Sequence, residues 1–109
     1  MTYSLHITPG AEADIERLYF DLVERRGIHA AQQWYEAYTR ALERLRVRPL
    51  SCGFAYENPN FPVELRHLLF WTRSRWKYRA LFTIEEDQVQ ILTVRAPRMK
   101  PVDPDDVEL

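Results

Sequence analysis

Cysteine, glycine and long apolar runs are all scarce in this sequence. The single thiol, Cys52, excludes an internal disulfide and any zinc cluster built on cysteine. Three glycines in 109 residues argue against flexible low-complexity segments, and no repeat of solenoid period is visible. No apolar stretch approaches the length of a membrane span. The opening Met1-Thr2-Tyr3-Ser4-Leu5-His6 lacks both a basic leader and a continuous apolar segment. The expectation is a cytoplasmic protein that does not meet a membrane. Catalytic signatures are equally scarce: Ser-His-Asp spacing, a phosphate-binding Walker loop, an EF-hand loop and a HExxH pair are absent. His6, His29 and His67 lie far apart with no cysteine cluster beside them, so no metal and no cofactor is expected.

What is present is one globular domain's worth of sequence, 46% apolar and 28% charged. The net charge of -1 hides an asymmetry. From Arg66 to Lys100 there are eight basic residues against Glu85, Glu86 and Asp87, whereas Asp103, Asp105, Asp106 and Glu108 follow with no basic residue among them. A basic surface trailed by an acidic tail fits an anionic partner with the tail as internal competitor; a solvated strand with a frayed end fits equally. The chain divides into a domain over residues 1–98 and an acidic tail over 99–109.

Periodicity gives the elements. Tyr3 to Ile7 alternates as a half-buried strand, and Thr8-Pro9 then reads as a helix N-cap and first position. Ile15, Leu18, Tyr19, Leu22 and Val23 form an amphipathic stripe that Gly27 is placed to end. Ala31, Trp34, Tyr38, Ala41 and Leu45 carry a second helix from His29 to Arg48, stopped by Pro49. With so short a gap between them, the helices form an antiparallel hairpin. Residues 49–62 read as a long connection, followed by strands over 63–71, 77–84 and 88–95. The predicted class is α+β, ordered β-α-α-β-β-β, with a helical hairpin on one face of a mainly antiparallel sheet. One hairpin covers one face, which leaves the other open to carry charge. The core takes most of Tyr19, Phe20, Trp34, Tyr35 and Tyr38, and any aromatic left exposed marks a docking surface.

Between Arg73 and Arg79 a basic residue recurs at every second position. On a strand Arg73, Arg75, Lys77 and Arg79 share a face, about 6.5 Å apart, with Trp76 and Tyr78 turned inward. Such a stripe suits a nucleic acid or an acidic protein. Arg73 and Arg75 fall at the hairpin turn, which leaves Lys77 and Arg79 on the strand. Arg66 converges with Arg79 on an anion if their strands are adjacent, since each offers a planar fork of donors. Glu64 and Arg66 otherwise read as a cross-strand pair. His67 beside Arg66 supplies the base of a metal-independent phosphodiester cleavage in one reading. In the other it is structural, because its parity matches Val63, Leu65, Leu69 and Trp71, the expected inner face.

Several local patterns coincide in order with one family. They are Ala11-x-x-Asp14-Ile15-x-x-Leu18-Tyr19, Trp34-x6-Ala41-Leu42-x-x-Leu45 followed by Pro49, Pro62-Val63-Glu64-Leu65-Arg66-x-Leu68-Leu69, Tyr78-Arg79-x-Leu81-Phe82-x-Ile84 and Val89-x-Ile91-Leu92-x-Val94-Arg95. From Tyr3 to Arg98 the chain resembles the RelE/ParE superfamily of toxins from type II toxin–antitoxin systems. The resemblance implies a small α+β toxin held inactive by a cognate antitoxin encoded beside it, which meets operator DNA only through the antitoxin complex. Its RelE-like members cut ribosome-bound mRNA without a metal, and its ParE-like members poison DNA gyrase. Arg79 matches the arginine with which the ribonucleases stabilise the transition-state phosphate, and Arg66 matches one of their basic strand positions. Lys77, Arg73, Arg75, Arg95 and Arg98 complete a surface for an anion or partner.

Two departures point to the ParE-like branch. Glu64 stands where the ribonucleases prefer lysine. Ala96-Pro97-Arg98-Met99-Lys100-Pro101 offers neither Tyr nor His as acid or base, which forfeits a factor of about 10²–10⁴ in proton transfer. The implied function is a gyrase-inhibiting toxin. The alternatives are a metal-independent endoribonuclease using Arg79, Arg66 and His67, and a non-toxic antitoxin-binding or regulatory module.

Overall fold

A computed structural model describes residues 2–71 and 77–109. Arg73, Arg75 and Trp76 lie outside them. The elements run β1 (Ser4–Ile7), α1 (Pro9–Arg26), α2 (Ile28–Val47), β2 (Arg66–Phe70), β3 (Tyr78–Glu85) and β4 (Gln88–Arg95). The strands order as β1-β4-β3-β2, with β1 parallel to β4 and the other pairs antiparallel. The predicted class and element order are those observed.

Local chemistry sets the boundaries. Thr8 caps α1: its hydroxyl oxygen accepts from the Ala11 N–H (3.2 Å) and donates to the Ile91 carbonyl (2.9 Å), while Pro9 occupies the first turn. Gly27 alone joins the helices. Its N–H closes α1 on the Val23 carbonyl, and its φ of +92° with ψ of 166° is a conformation essentially restricted to glycine. A Cβ there would meet nothing within 4 Å, so the backbone alone requires the glycine. Leu18 and Leu22 of α1 pack with Ala31, Trp34, Tyr38, Leu42 and Leu45 of α2 onto one face of the sheet.

Past the end of β1, α1 itself satisfies the β4 edge. The Asp14 carboxylate accepts from the Thr93 hydroxyl and from the Val94 N–H (3.2 Å), and it pairs with Arg17 (2.6 Å). At this level Leu92 is an extra residue on β4, since Leu81 faces Thr93 while Phe82 faces Ile91.

Three expectations about the sheet are corrected. First, Leu68 and Phe70 face the helices, with Tyr78, Ala80 and Phe82 of β3 beside them. The inner parity expected for Val63, Leu65, His67, Leu69 and Trp71 is therefore the opposite one. Second, the far face is not open. Leu65, Leu81 and Leu92 form a second buried cluster there with Ala55 and Val102, flanked by Phe61 and Val107. Residues from the long connection and from the tail cover it. Third, β2 begins at Arg66 rather than at residue 63. The Leu65 N–H is taken by the Asn58 side chain (2.7 Å), and residues 53–55 return along the outer edge of β2, Ala55 N–H to the Leu65 carbonyl (2.9 Å) and His67 N–H to the Gly53 carbonyl (3.2 Å). Among the described residues no helix is long and apolar enough to cross a membrane.

Candidate functional site

Arg79 leaves β3 on the far face, and its partner was the residue least visible in sequence. Glu57, on the connection between α2 and β2, is 2% exposed. Arg79 Nη1 donates to Glu57 Oε1 (2.9 Å) and Nη2 to Oε2 (2.7 Å), a two-pronged pair that fills both prongs of the fork. Nη2 also donates to Tyr56 Oη (2.9 Å), and the guanidinium stacks 4.3 Å from the centre of the Tyr56 ring. Glu57 Oε2 accepts a third hydrogen bond, from the Val102 N–H (3.1 Å). Loop, strand and tail thus meet on one carboxylate.

The electrostatics follow from this packing. Burial pushes the Glu57 carboxyl up, but the Arg79 fork and the Val102 N–H outweigh it and hold the group below its ordinary value. Burial alone would lower Arg79, whereas its bonds to Glu57 and the carboxylate charge raise it. His67, on the same face, is pushed down first by burial and then by the Arg79 charge, with Glu57 opposing. It is a neutral imidazole at neutral pH, and its Nδ1 is buried without a hydrogen-bond partner among the described residues.

Arg95 stands directly across the ladder from Arg79. Like charges in that position repel. Glu57 offsets one, and Asp106 from the tail approaches the other, its Oδ2 lying 3.8 Å from Arg95 Nη2. The Nε of Arg95 is buried and has no partner among the described residues.

The remaining basic candidates go elsewhere. β2 and β3 are adjacent, but Arg66 pairs in register with Phe82 on the helix-facing side, so Arg66 and Arg79 do not converge. Arg66 donates to the Cys52 carbonyl (2.6 Å) and lies 4.3 Å over the Phe54 ring. Lys77 is exposed, 5.5 Å over the Trp71 ring, and Arg98 is exposed in the turn after β4 with φ of +68°. Arg73 and Arg75 lie outside the described residues. The structure therefore brings together Arg79, His67 and Arg95 with Glu57, Tyr56 and Val102, three residues the sequence reading passed over, and with Asp106 of the acidic tail that it expected to compete for the basic surface. One signal was available: Glu57 is the only charged residue between Arg48 and Glu64.

A second surface lies on the helical hairpin. Trp34 and Tyr38 are core, but Phe20 and Tyr35 remain 57% and 45% exposed. With Ile7, Ile15, Tyr19 and Tyr38 they line a groove of about 500 Å³, and Glu12 and Glu16 also border it. Tyr38 Oη is buried there without a partner among the described residues. Burial, then Tyr35 and Glu12, push its pKa up, so it stays a neutral hydroxyl.

No curated protein sequence matches the chain significantly. Among solved structures, a chain titled "Chromosomal ParDE TA system from P. aeruginosa" superposes with a TM-score of 0.67 at 26% identity, over 86% of this chain and 95% of that one. The family described as "ParE toxin of type II toxin-antitoxin system, parDE" matches residues 5–101, nearly all of the sheet and both helices. The chain belongs to the ParE toxin family.

Proposed function

We propose that this chain is the toxin of a type II toxin–antitoxin pair, that it acts by binding DNA gyrase, and that it does not cleave RNA. The observation that carries the second half is the Glu57–Arg79 pair. A guanidinium that stabilises a phosphorane must present its donors to the phosphate, and both prongs of Arg79 are already closed on a buried carboxylate. Opening that pair exposes an uncompensated buried charge, which sets a toll on every turnover. Arg66, turned to the other side of the sheet, supplies no second cation to the same point. Arg79 is then a clamp that holds loop, sheet and tail in one shape, and a toxin that works by shape needs such a clamp more than a reactive centre.

The cognate antitoxin fits the groove on the helical hairpin. Exposed aromatics over a concave apolar floor suit an amphipathic segment.

Ribosomes translating a defined message test the ribonuclease alternative. With the purified chain added, the message stays intact. Cleavage that appears with the wild type and vanishes with Arg79→Ala would overturn the reading. Expression of the chain without an antitoxin tests the non-toxic alternative: growth arrest is expected, and unaffected growth would favour a regulatory module.

A further inference from the structure

The tail is not bound as an element of the sheet. It runs over the far face with a single short turn, Pro104–Asp106, and is held there by the Val102 N–H on Glu57, by the Val102 and Val107 side chains and by Asp106 near Arg95. Val102 is 2% exposed and packs in the cluster with Ala55, Leu65, Leu81 and Leu92, and Val107 packs against the edge of the same cluster. Between them Asp106 reaches toward Arg95, while Asp103, Asp105 and Glu108 face solvent. The Asp103 and Asp106 side chains are partly occupied in closing their own turn. Arg95 is served poorly by this: its carboxylate partner stands at 3.8 Å and its Nε has no partner among the described residues. Beside Arg95 a cavity of about 740 Å³ opens between the tail and the start of α1.

We propose that this face is a docking surface for an acidic peptide segment of a partner protein, held in the free chain by the chain's own residues 102–107 as a tethered stand-in. The occupant it fits is read from the one seated there: an apolar residue in the pocket of Leu65, Leu81 and Leu92, and a carboxylate four positions later for Arg95. An acidic protein segment suits the face better than a nucleic acid. The seat beneath Val102 is apolar, lined by Ala55, Leu65, Leu81 and Leu92, and takes a peptide's side chain where a sugar-phosphate backbone has none to offer. This goes beyond the proposed function and is independent of the target on which the toxin acts.

The probe is a fluorescent synthetic peptide with the sequence of residues 99–109, titrated by anisotropy against the full wild-type chain and a full chain carrying Val102→Ser and Asp106→Asn. A tethered competitor lowers the fraction of open sites, so the peptide binds the variant about tenfold or more tighter than the wild type. Raising the salt, or placing Asp106→Asn in the peptide, weakens it. Failure to bind the variant, or equal affinity for both proteins, overturns the proposal. So does a short DNA duplex that binds the variant and is not displaced by the peptide, or a wild-type dimer that exchanges tails between copies. Amide exchange on the wild type tests the same point without any variant. The Val102 N–H exchanges well before the amides of the central strand β4, by local release of the tail. Exchange of both together, only on global unfolding, overturns it.

Discussion

Replacing Glu57 by alanine tests the clamp directly. The change removes three charge-assisted hydrogen bonds at once, two from Arg79 and one from the Val102 N–H. It leaves a guanidinium whose side chain is only 13% exposed facing no carboxylate. Breaking a buried pair from one side costs about 3–5 kcal/mol, most of it from the stranded charge. Arg79 keeps Tyr56 as a hydrogen-bond and stacking partner, and some water reaches it, which favours the lower end, about 3 kcal/mol. For a domain of this size each kcal/mol moves the melting temperature by roughly 4–6 °C, so Glu57→Ala lowers it by about 12–18 °C. Thermal and urea melts read the change. The double variant Glu57→Met with Arg79→Leu removes the stranded charge and recovers about half of the loss. What remains is the Val102 N–H, left buried without an acceptor at about 1–2 kcal/mol. A Glu57→Ala loss below about 1 kcal/mol, or a double variant no more stable than the single, would refute the reasoning.

Asp14→Ala strands the Val94 N–H beyond the end of β1 and releases Thr93, and urea melts should show a loss of about 1–3 kcal/mol. A loss near zero would mean that water replaces the carboxylate. Gly27→Ala meets no steric barrier but must hold φ at +92°, which costs about 1–3 kcal/mol; an unchanged melt would show that the helices can be rejoined in another conformation. The pH profile has a definite sign. His67 is held below its unfolded value of about 6.5, so its contribution is full above that pH and is lost as pH falls through the lowered folded value. Glu57 behaves alike at lower pH, its contribution complete above about 4.3 and lost as pH falls through its depressed folded value. Stability against pH for His67→Gln should lack the first decline and keep the second, and a profile identical to the wild type's would contradict the assignment.

The backbone of the fold was legible because its signals are local. Thr8 and Pro9 announce a helix start within two residues, Gly27 ends one helix and starts the next, and the apolar stripes of α1 and α2 repeat at helical spacing. The side of β2 was not legible. Apolar residues of both parities run through it and its entry, Leu65 just before the strand on one side and Leu68 and Phe70 on the other, and the two sides are buried against different layers. Alternation identifies a half-buried strand and falls silent on one covered twice. The second layer itself comes from irregular segments, residues 54–61 and 102–107, whose apolar residues follow no period. Arg79 was found from its place on the strand and its resemblance to the family, yet its state was not. Glu57 lies 22 residues earlier in a connection without regular structure, and no spacing rule joins the two. The exposure of Phe20 and Tyr35 was likewise beyond reach, since helical geometry says that neighbouring aromatics diverge without saying which one faces out.

The central claim is that this ParE-family chain acts by binding, with Arg79 as a clamp and gyrase as the target. Supercoiling of relaxed plasmid by purified gyrase, with the wild-type chain and the Glu57→Met, Arg79→Leu double variant added in parallel, tests it most directly. The account predicts that both inhibit supercoiling, the variant at temperatures below its own melt. Gyrase that supercoils undisturbed in the presence of the folded wild-type chain would contradict it.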